Sequence, residues 1–472
     1  MIKGFKLEKI HLTVKGLIGL LLALAAILTA CFIPGTDKLS SAGIKTLGLL
    51  AAFLLILITE ALPVILTSLL FIGLMPVTGV TVGLAPALSG YADKVVYFTL
   101  ASFGLALALT KLPLSNRFLK WMLRHFGKSV KSAILAIMVT TCLVSSIISN
   151  VPTCAVFMSV ALSFLNLYKN EEDKRKTGRA LMIAVPLASM IGGIMTPAGS
   201  SINLIAIGIL EEAGYSISFV QWMLAGVPLA VILLPLAWFL ICLIYKPVPV
   251  SREDIQSFVD GIEIPAKMSW KEIATLIITF GMFILWVLSS WVRQLDVMVI
   301  AILGCVLLMF PGIEAISVKT FIQDNSWDAF FLVGCVLSLG NALKTNGVDD
   351  YISSLIPSTQ LNPYLLIGLT TLIVFLALIV IPVATSLIKI LGAPLIALAL
   401  ASGVSPVLVM LAASIAACNC YLLPLDTVPL ITYSQGYYSM TDMAKSTSIL
   451  QIAIIILNAV WIPVVGMILG LL

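Results

Sequence analysis

Apolar runs near the roughly 20 residues that cross a bilayer as a helix recur along this chain from residue 16 onward, with no polar interval long enough for a water-soluble domain. Lipid offers a backbone no hydrogen bonds, so runs of this length must satisfy themselves as helices. Only 10% of the residues are charged and 60% are hydrophobic, against about 25% charged in a soluble domain. The expectation is an all-α polytopic protein of about 11 transmembrane helices, sited in the plasma membrane with the lipid bilayer as its surroundings. The net charge of +5 then reports loop orientation, and no nucleic-acid partner is expected.

Lys3, Lys6, Lys9 and Lys15 precede the first apolar run, LIGLLLALAAILTACFI. The pattern resembles a signal peptide, but the run is long and further spans follow. It reads as an uncleaved first helix with its N-terminus in the cytoplasm. The cysteines lie almost all in apolar runs, and Cys418 and Cys420 have no His or acidic neighbour. They read as packing residues rather than a metal site.

The order of segments occurs twice. Spans near 16–33, 44–60, 62–80 and 95–112 lead to the cationic stretch SNRFLKWMLRHFGKSVK and to two half-length segments around residue 150. A charged loop, a broken span from 180 to 213 and a full span to 245 follow. After the polar linker KPVPVSREDIQSFVDGIEIPAKMSWK come spans near 271–292, 297–315 and 327–345. Two short segments then flank residue 384, with a broken span near 405–440 and a last helix from 445. ALTKLPL (108–114) matches ALKTNGV (342–348) in pattern at an offset of 234, and TPAGSSIN (196–203) falls opposite LPLDTVPL (423–430). The first copy continues with Arg117, Lys120, Arg124, Lys128 and Lys131 and no acids; the second continues with Asp349 and Asp350 and no bases. By the positive-inside tendency the first lies in the cytoplasm and the second outside. An inverted repeat with interrupted segments at matching places is the pattern of a secondary transporter, its site near the midplane. Simple Pro and Gly kinks are the other reading, but here the interruptions pair by repeat.

Interrupted helices free backbone groups. Helix N-termini favour a carboxylate, and carbonyls favour a cation such as sodium. Ser145 and Ser149 are one turn apart and share a face with Asn150, so their oxygens can hold Na+ or meet an anion. A lone helical Ser otherwise bonds back to its own backbone. No arginine falls in a span. Lys389, one turn beyond Thr385, reads as the partner of Asp426 or as a contact to the anion; alternatively it snorkels to the outer interface. Glu60, in TEALP, reads as a helix cap rather than a proton carrier.

TEALP, ASFGLALALTKLPLSNR, the pair Ser149 and Asn150, GGIMTPAGSSIN and LPLDTVP together resemble the divalent anion/sodium symporter family, over nearly the whole chain. The resemblance implies two re-entrant hairpins, one from each side, and a homodimer whose transport domains move as elevators against a scaffold. Scaffold parts are then 1–128 and 214–360, including a cytoplasmic loop 246–270, and transport parts are 129–213 and 361–472. One sodium is implied at Ser145, Asn150 and the backbone near Gly199. Substrate carboxylates are implied at Ser149, Asn150, Val151, Ser200, Ala384, Thr385, Thr427 and Pro429.

The chain also departs from the family pattern. Its first signature reads Ser149, Asn150, Val151, and its second reads Val383, Ala384, Thr385. Ala384 cannot supply the oxygen that Asn150 supplies, and Lys389 stands one turn away. The expectation therefore leans to sodium-independent or weakly sodium-dependent exchange of dicarboxylates such as succinate, malate or 2-oxoglutarate. Sodium-coupled symport of dicarboxylate, citrate or sulfate is the alternative, and an anion channel a more remote one. An enzyme is not expected: His11 and His125 lie near basic interfacial stretches, and no HExxH pattern occurs.

Overall fold

The computed structural model describes the chain except residues 1–13, 60, 293, 326, 349–350, 352–360, 381–383, 420 and 425, and the side chains of 15, 58, 380 and 386. Lys3, Lys6, Lys9, His11, Glu60, Asp349, Asp350, Val383 and Cys420, and the side chain of Lys15, thus lie outside the described residues.

Among the described residues the chain forms 21 α-helices and no strands. The first are α1 (Val14–Phe32), α2 (Ser41–Thr59), α3 (Val64–Thr78), α4 (Leu84–Ala87), α5 (Lys94–Lys111) and α6 (Leu114–Phe126). Then come α7 (Val130–Ser145), α8 (Asn150–Leu165), α9 (Glu171–Gly193), α10 (Ser201–Glu212), α11 (Phe219–Tyr245) and α12 (Arg252–Gly261). The chain continues through α13 (Trp270–Leu288), α14 (Val297–Met309), α15 (Val318–Asp324) and α16 (Trp327–Thr345). It ends with α17 (Pro363–Val380), α18 (Ala384–Ala401), α19 (Pro406–Cys418), α20 (Thr427–Tyr433) and α21 (Met440–Ile468).

Among the described residues, five helices, α5, α11, α13, α16 and α21, are long and apolar enough to cross a membrane, and shorter apolar helices accompany them. Their outward faces are apolar. On α21, Ile449, Ile452, Ile456 and Val460 are all more than half exposed, a stripe at helical spacing that suits lipid.

The chain divides into two compact units: residues 1–96 with 327–357, and residues 97–326 with 358–472. In the first, α1 packs on α2 and α16 packs on α3. Its core holds Phe53 edge-on to Phe71, ring centres 5.2 Å apart, with Met75 and Cys335 fully buried. The second contains both hairpins and both broken spans. Its centre is α19, buried along its whole length from Pro406 to Cys418, and the half of α9 from Ala180 to Gly193. Such all-round apolar burial is what an interior membrane helix requires.

The central linker, read from sequence as a polar loop, carries the helix α12 at its centre. Ser251 caps it, and Ile255 and Val259 bury one face. The last helix begins at Met440 rather than near 445 because Ser439 and Asp442 form a capping box that adds a polar first turn to the apolar run.

Candidate functional site

Each break follows from local sequence. Pro197 restricts the residue before it to extended backbone, and Thr196 has φ −136° and ψ 159°, so α9 stops at Gly193 and the helix resumes only at Ser201. In the hairpin α7–α8, Ser149 is extended at φ −51° and ψ 150° and α8 restarts at Asn150. Pro152 sits in the first turn of α8, where its missing N–H costs little.

A break inside a membrane leaves carbonyls that must find donors. Around the first break the chain supplies them. Asn203 Nδ2 donates to Gly193 O at 2.7 Å and to Thr196 O at 2.9 Å. Trp222 Nε1 donates to Ile194 O at 3.1 Å, and the Thr196 hydroxyl donates to Ser146 O at the hairpin tip. Asn203 Oδ1 in turn accepts from Ser414 and Cys418 of α19. The hairpin, the break and α19 are thereby tied together.

Asn150 stands at the centre of this knot. One arm of its amide points at three oxygens: the Ser145 hydroxyl at 2.9 Å, the Gly199 carbonyl at 3.0 Å and the Ser189 carbonyl at 3.1 Å. With its NH2 there, the amide donates to them. Turned over, it sets its own oxygen within 3.1 Å of the other three, and uncharged oxygens gathered in this way are of the kind that a hard cation takes as donors. Ser145, Ser189 and Asn150 are all buried, and the Ser189 hydroxyl also bonds Ser145 Oγ at 3.1 Å and donates to Asn150 O at 2.8 Å. Ser145 therefore does not follow the ordinary habit of a helical serine, whereas Ser159 and Ser163 on the same hairpin do bond back to their own helix. The approach is close because Gly193 has no side chain: a Cβ there would fall 2.1 Å from the Asn150 amide.

Four helices are capped by serine boxes: α7 by Ser129, α11 by Ser218, α13 by Ser269 and α21 by Ser439. The α8 helix differs, since the Ser149 hydroxyl accepts no bond from it. The N–H groups of Asn150 and Val151 meet no acceptor among the described residues, and Val151 is 41% exposed. This uncapped N-terminus, beside the Ser149 hydroxyl, suits a carboxylate. Ser200 is otherwise engaged: it is buried and caps α10 through Ile202 N.

The second break is closed differently. Tyr421 is fully buried; its hydroxyl donates to Asn419 Oδ1, its N–H to Gln451 Oε1 at 2.8 Å, and its carbonyl accepts from Thr447 at 2.8 Å. Two side chains of α21 thus do here what an ion or ligand could do. Asp426, half-buried, accepts from the Thr427 hydroxyl at 3.2 Å. Pro429 is buried, its carbonyl taken by Thr432 and Tyr438. On α18, Ala384 is buried, Thr385 and Lys389 are half-buried, and Lys389 Nζ is shut off from solvent. The α10 helix packs on α18, and α8 packs on α20.

The structure thus joins Ser145, Asn150 and Gly199, and separately joins Asp426 and Thr427. Sequence reasoning missed Ser189, Asn203 and Gly193. Asn203 closes the quoted TPAGSSIN stretch, and the Gly192–Gly193 pair at the end of an apolar run marked a close approach.

A family profile described as "Sodium:sulfate symporter transmembrane region" matches residues 14–472. A protein of Staphylococcus saprophyticus named sodium-dependent dicarboxylate transporter SdcS is 27% identical, over 98% of this chain and 94% of its own. A Staphylococcus aureus protein of the same name is 26% identical, over 82% of this chain and 79% of its own. Among solved structures, the Neisseria gonorrhoeae MtrF efflux pump superposes with a TM-score of 0.55 at 10% identity, over 96% of this chain and 95% of its own. The Alcanivorax borkumensis YdaH transporter superposes with a TM-score of 0.55 at 13% identity, over 97% and 98%. The two superpositions show a shared fold.

Proposed function

Because the chain belongs to the sodium:sulfate symporter family, we propose that it is a secondary carrier that moves a C4 or C5 dicarboxylate together with sodium. The observation that carries this reading is the ring of oxygens at Asn150. Ser145 Oγ, Ser189 O, Gly199 O and the Asn150 amide oxygen would hold Na+, and the uncapped N-terminus of α8, with Ser149, would hold one carboxylate. Thr385, in the first turn of α18, would meet the other. Turning the Asn150 amide links the two events: once its oxygen faces the ion, its NH2 faces away and is free to donate to the substrate.

Sodium coupling replaces exchange as the first reading, since the relatives named above are called sodium-dependent. Exchange stays as the second, on a specific observation: the buried end of Lys389 lies one turn from Ala384, where the second repeat lacks an oxygen donor. Movement would follow the division inferred from the repeat, with 129–213 and 361–472 carrying the site against the remainder, in a homodimer.

The test is uptake of labelled succinate by the purified protein in liposomes. An inward sodium gradient is expected to drive uptake into vesicles empty of dicarboxylate, and Asn150→Ala to abolish it. Uptake that ignores sodium and requires an internal dicarboxylate overturns coupling in favour of exchange.

A further inference from the structure

Helix α6 has two unlike sides. On one, Arg117 binds Glu272 at 2.5 Å and Lys267 O at 3.0 Å. From the same side Lys120 donates to Asp260 O at 3.3 Å and Ile262 O at 3.0 Å. These bonds strap α6 to the linker and fix its rotation. Asp260, itself held by Gln256, and Glu263 lie on this linker side.

The other side is turned outward. Trp121 is 51% exposed and Phe126 55%. They form an aromatic cluster: Phe118 stacks on Trp121 at 6.1 Å, and the His125 ring and Phe126 lie 5.0 and 6.2 Å from it. His125 Nδ1 is also bonded to Trp121 O at 2.8 Å, which holds the cluster in place. Around it Arg124, Lys128 and Lys131 are exposed, and the stretch from 114 to 131 contains no acid. A second aromatic marks the same level, since Trp238 Nε1 donates to Lys131 O at 2.8 Å. Indole groups of this kind collect at the headgroup layer of a bilayer. Exposed aromatics framed by cations, with no acid in the same stretch, match a surface that is apolar below and negative above.

We propose that the outer face of α6 binds anionic phospholipid headgroups of the membrane leaflet it lies against: Trp121 and Phe126 enter the interface, and Arg124, Lys128 and Lys131 meet the phosphates. Neutral lipid can satisfy the aromatics but not the three cations, so the face discriminates by charge. The inference stands apart from the transported anion and from the sodium question.

The experiment is quenching of tryptophan fluorescence by brominated lipids in reconstituted full-length protein, with Trp121→Phe used to isolate the Trp121 contribution. That contribution is expected to be quenched several-fold more effectively by brominated phosphatidylglycerol than by brominated phosphatidylcholine at equal mole fraction. The preference should shrink as salt is raised, because such contacts are screened over about 10 Å at 0.1 M. In a variant carrying Arg124→Gln, Lys128→Gln and Lys131→Gln it should fall to parity, while quenching by phosphatidylcholine persists and shows that the helix is still seated. Equal quenching by both lipids in the native protein, or an unchanged preference in the triple variant, overturns the proposal. So does a Trp121 that neither lipid quenches, the result expected if a second copy of the chain covers this face.

Discussion

At Asn150 a single amide has two useful orientations, and substitution separates them. Aspartate has no donor, so Asn150→Asp would set a carboxylate against two carbonyls unless a cation sits among them. On the sodium reading this variant binds sodium at lower concentrations than the native protein but moves little succinate, since it has no NH2 to offer the anion; if the amide only ever donates, it loses sodium binding as well. Gly193→Ala probes the same contact from behind. Its methyl would meet the amide at 2.1 Å, an overpacking of order 1–3 kcal/mol. Uptake should fall by about fivefold to a hundredfold, at 1.4 kcal/mol per factor of ten, while the purified protein remains monodisperse. Sequence alone singled out Ser145, Asn150 and the neighbourhood of Gly199, because polar groups in an apolar run are conspicuous. Ser189 escaped notice because it lies inside an unbroken apolar helix, and only the packing of α7 against α9 brings it to the hairpin tip.

Between elements, what holds α6 can be measured without any transport. Glu272 is 2% exposed and Arg117 17%, so Arg117→Ala leaves a carboxylate buried without its main partner. Loss of one member of a buried pair costs about 3–5 kcal/mol, and the partial exposure of Arg117 places this case toward the lower figure. A fall in melting temperature should follow, and Arg117→Met with Glu272→Gln should recover part of it. Phe258→Ala removes the ring that meets Phe164 of α8 edge-on at 5.2 Å, and is expected to speed hydrogen exchange in the amides of α12. Most helices were legible from apolar run length. The α12 helix was not, because its anchor residues, Ile255, Phe258 and Val259, are few and surrounded by charge, and its stability comes from the surface it docks on. The capped turn that opens α21 escaped for a related reason: apolar periodicity says nothing about a polar first turn.

Across the whole molecule, the repeat is symmetric in its elements and asymmetric in its chemistry. Both halves contain a hairpin and a broken span, which the sequence revealed by their shared order. The closing of the second break by Tyr421, Gln451 and Thr447 was not visible there, because α21 lies more than a full helix further along the chain. With one break arranged around an oxygen ring and the other sealed by side chains, the dependence of uptake on sodium should be hyperbolic, with a Hill coefficient of about 1, since cooperativity is bounded by the number of sites. A sigmoidal dependence would rule this out. If the bonds of Tyr421 leave no place for a second sodium at that break, an electrical consequence follows for the proposed carrier. On the proposed reading, one sodium entering with a doubly negative acid would move net negative charge inward, and any charge fixed on the moving elements, such as that of Lys389, would cancel over a cycle. An interior-negative membrane therefore opposes filling, by about 2.3 kcal/mol per charge at 100 mV. Imposing an inside-positive potential on the liposomes should accelerate accumulation, so voltage becomes a reporter of how many cations the second break has given up.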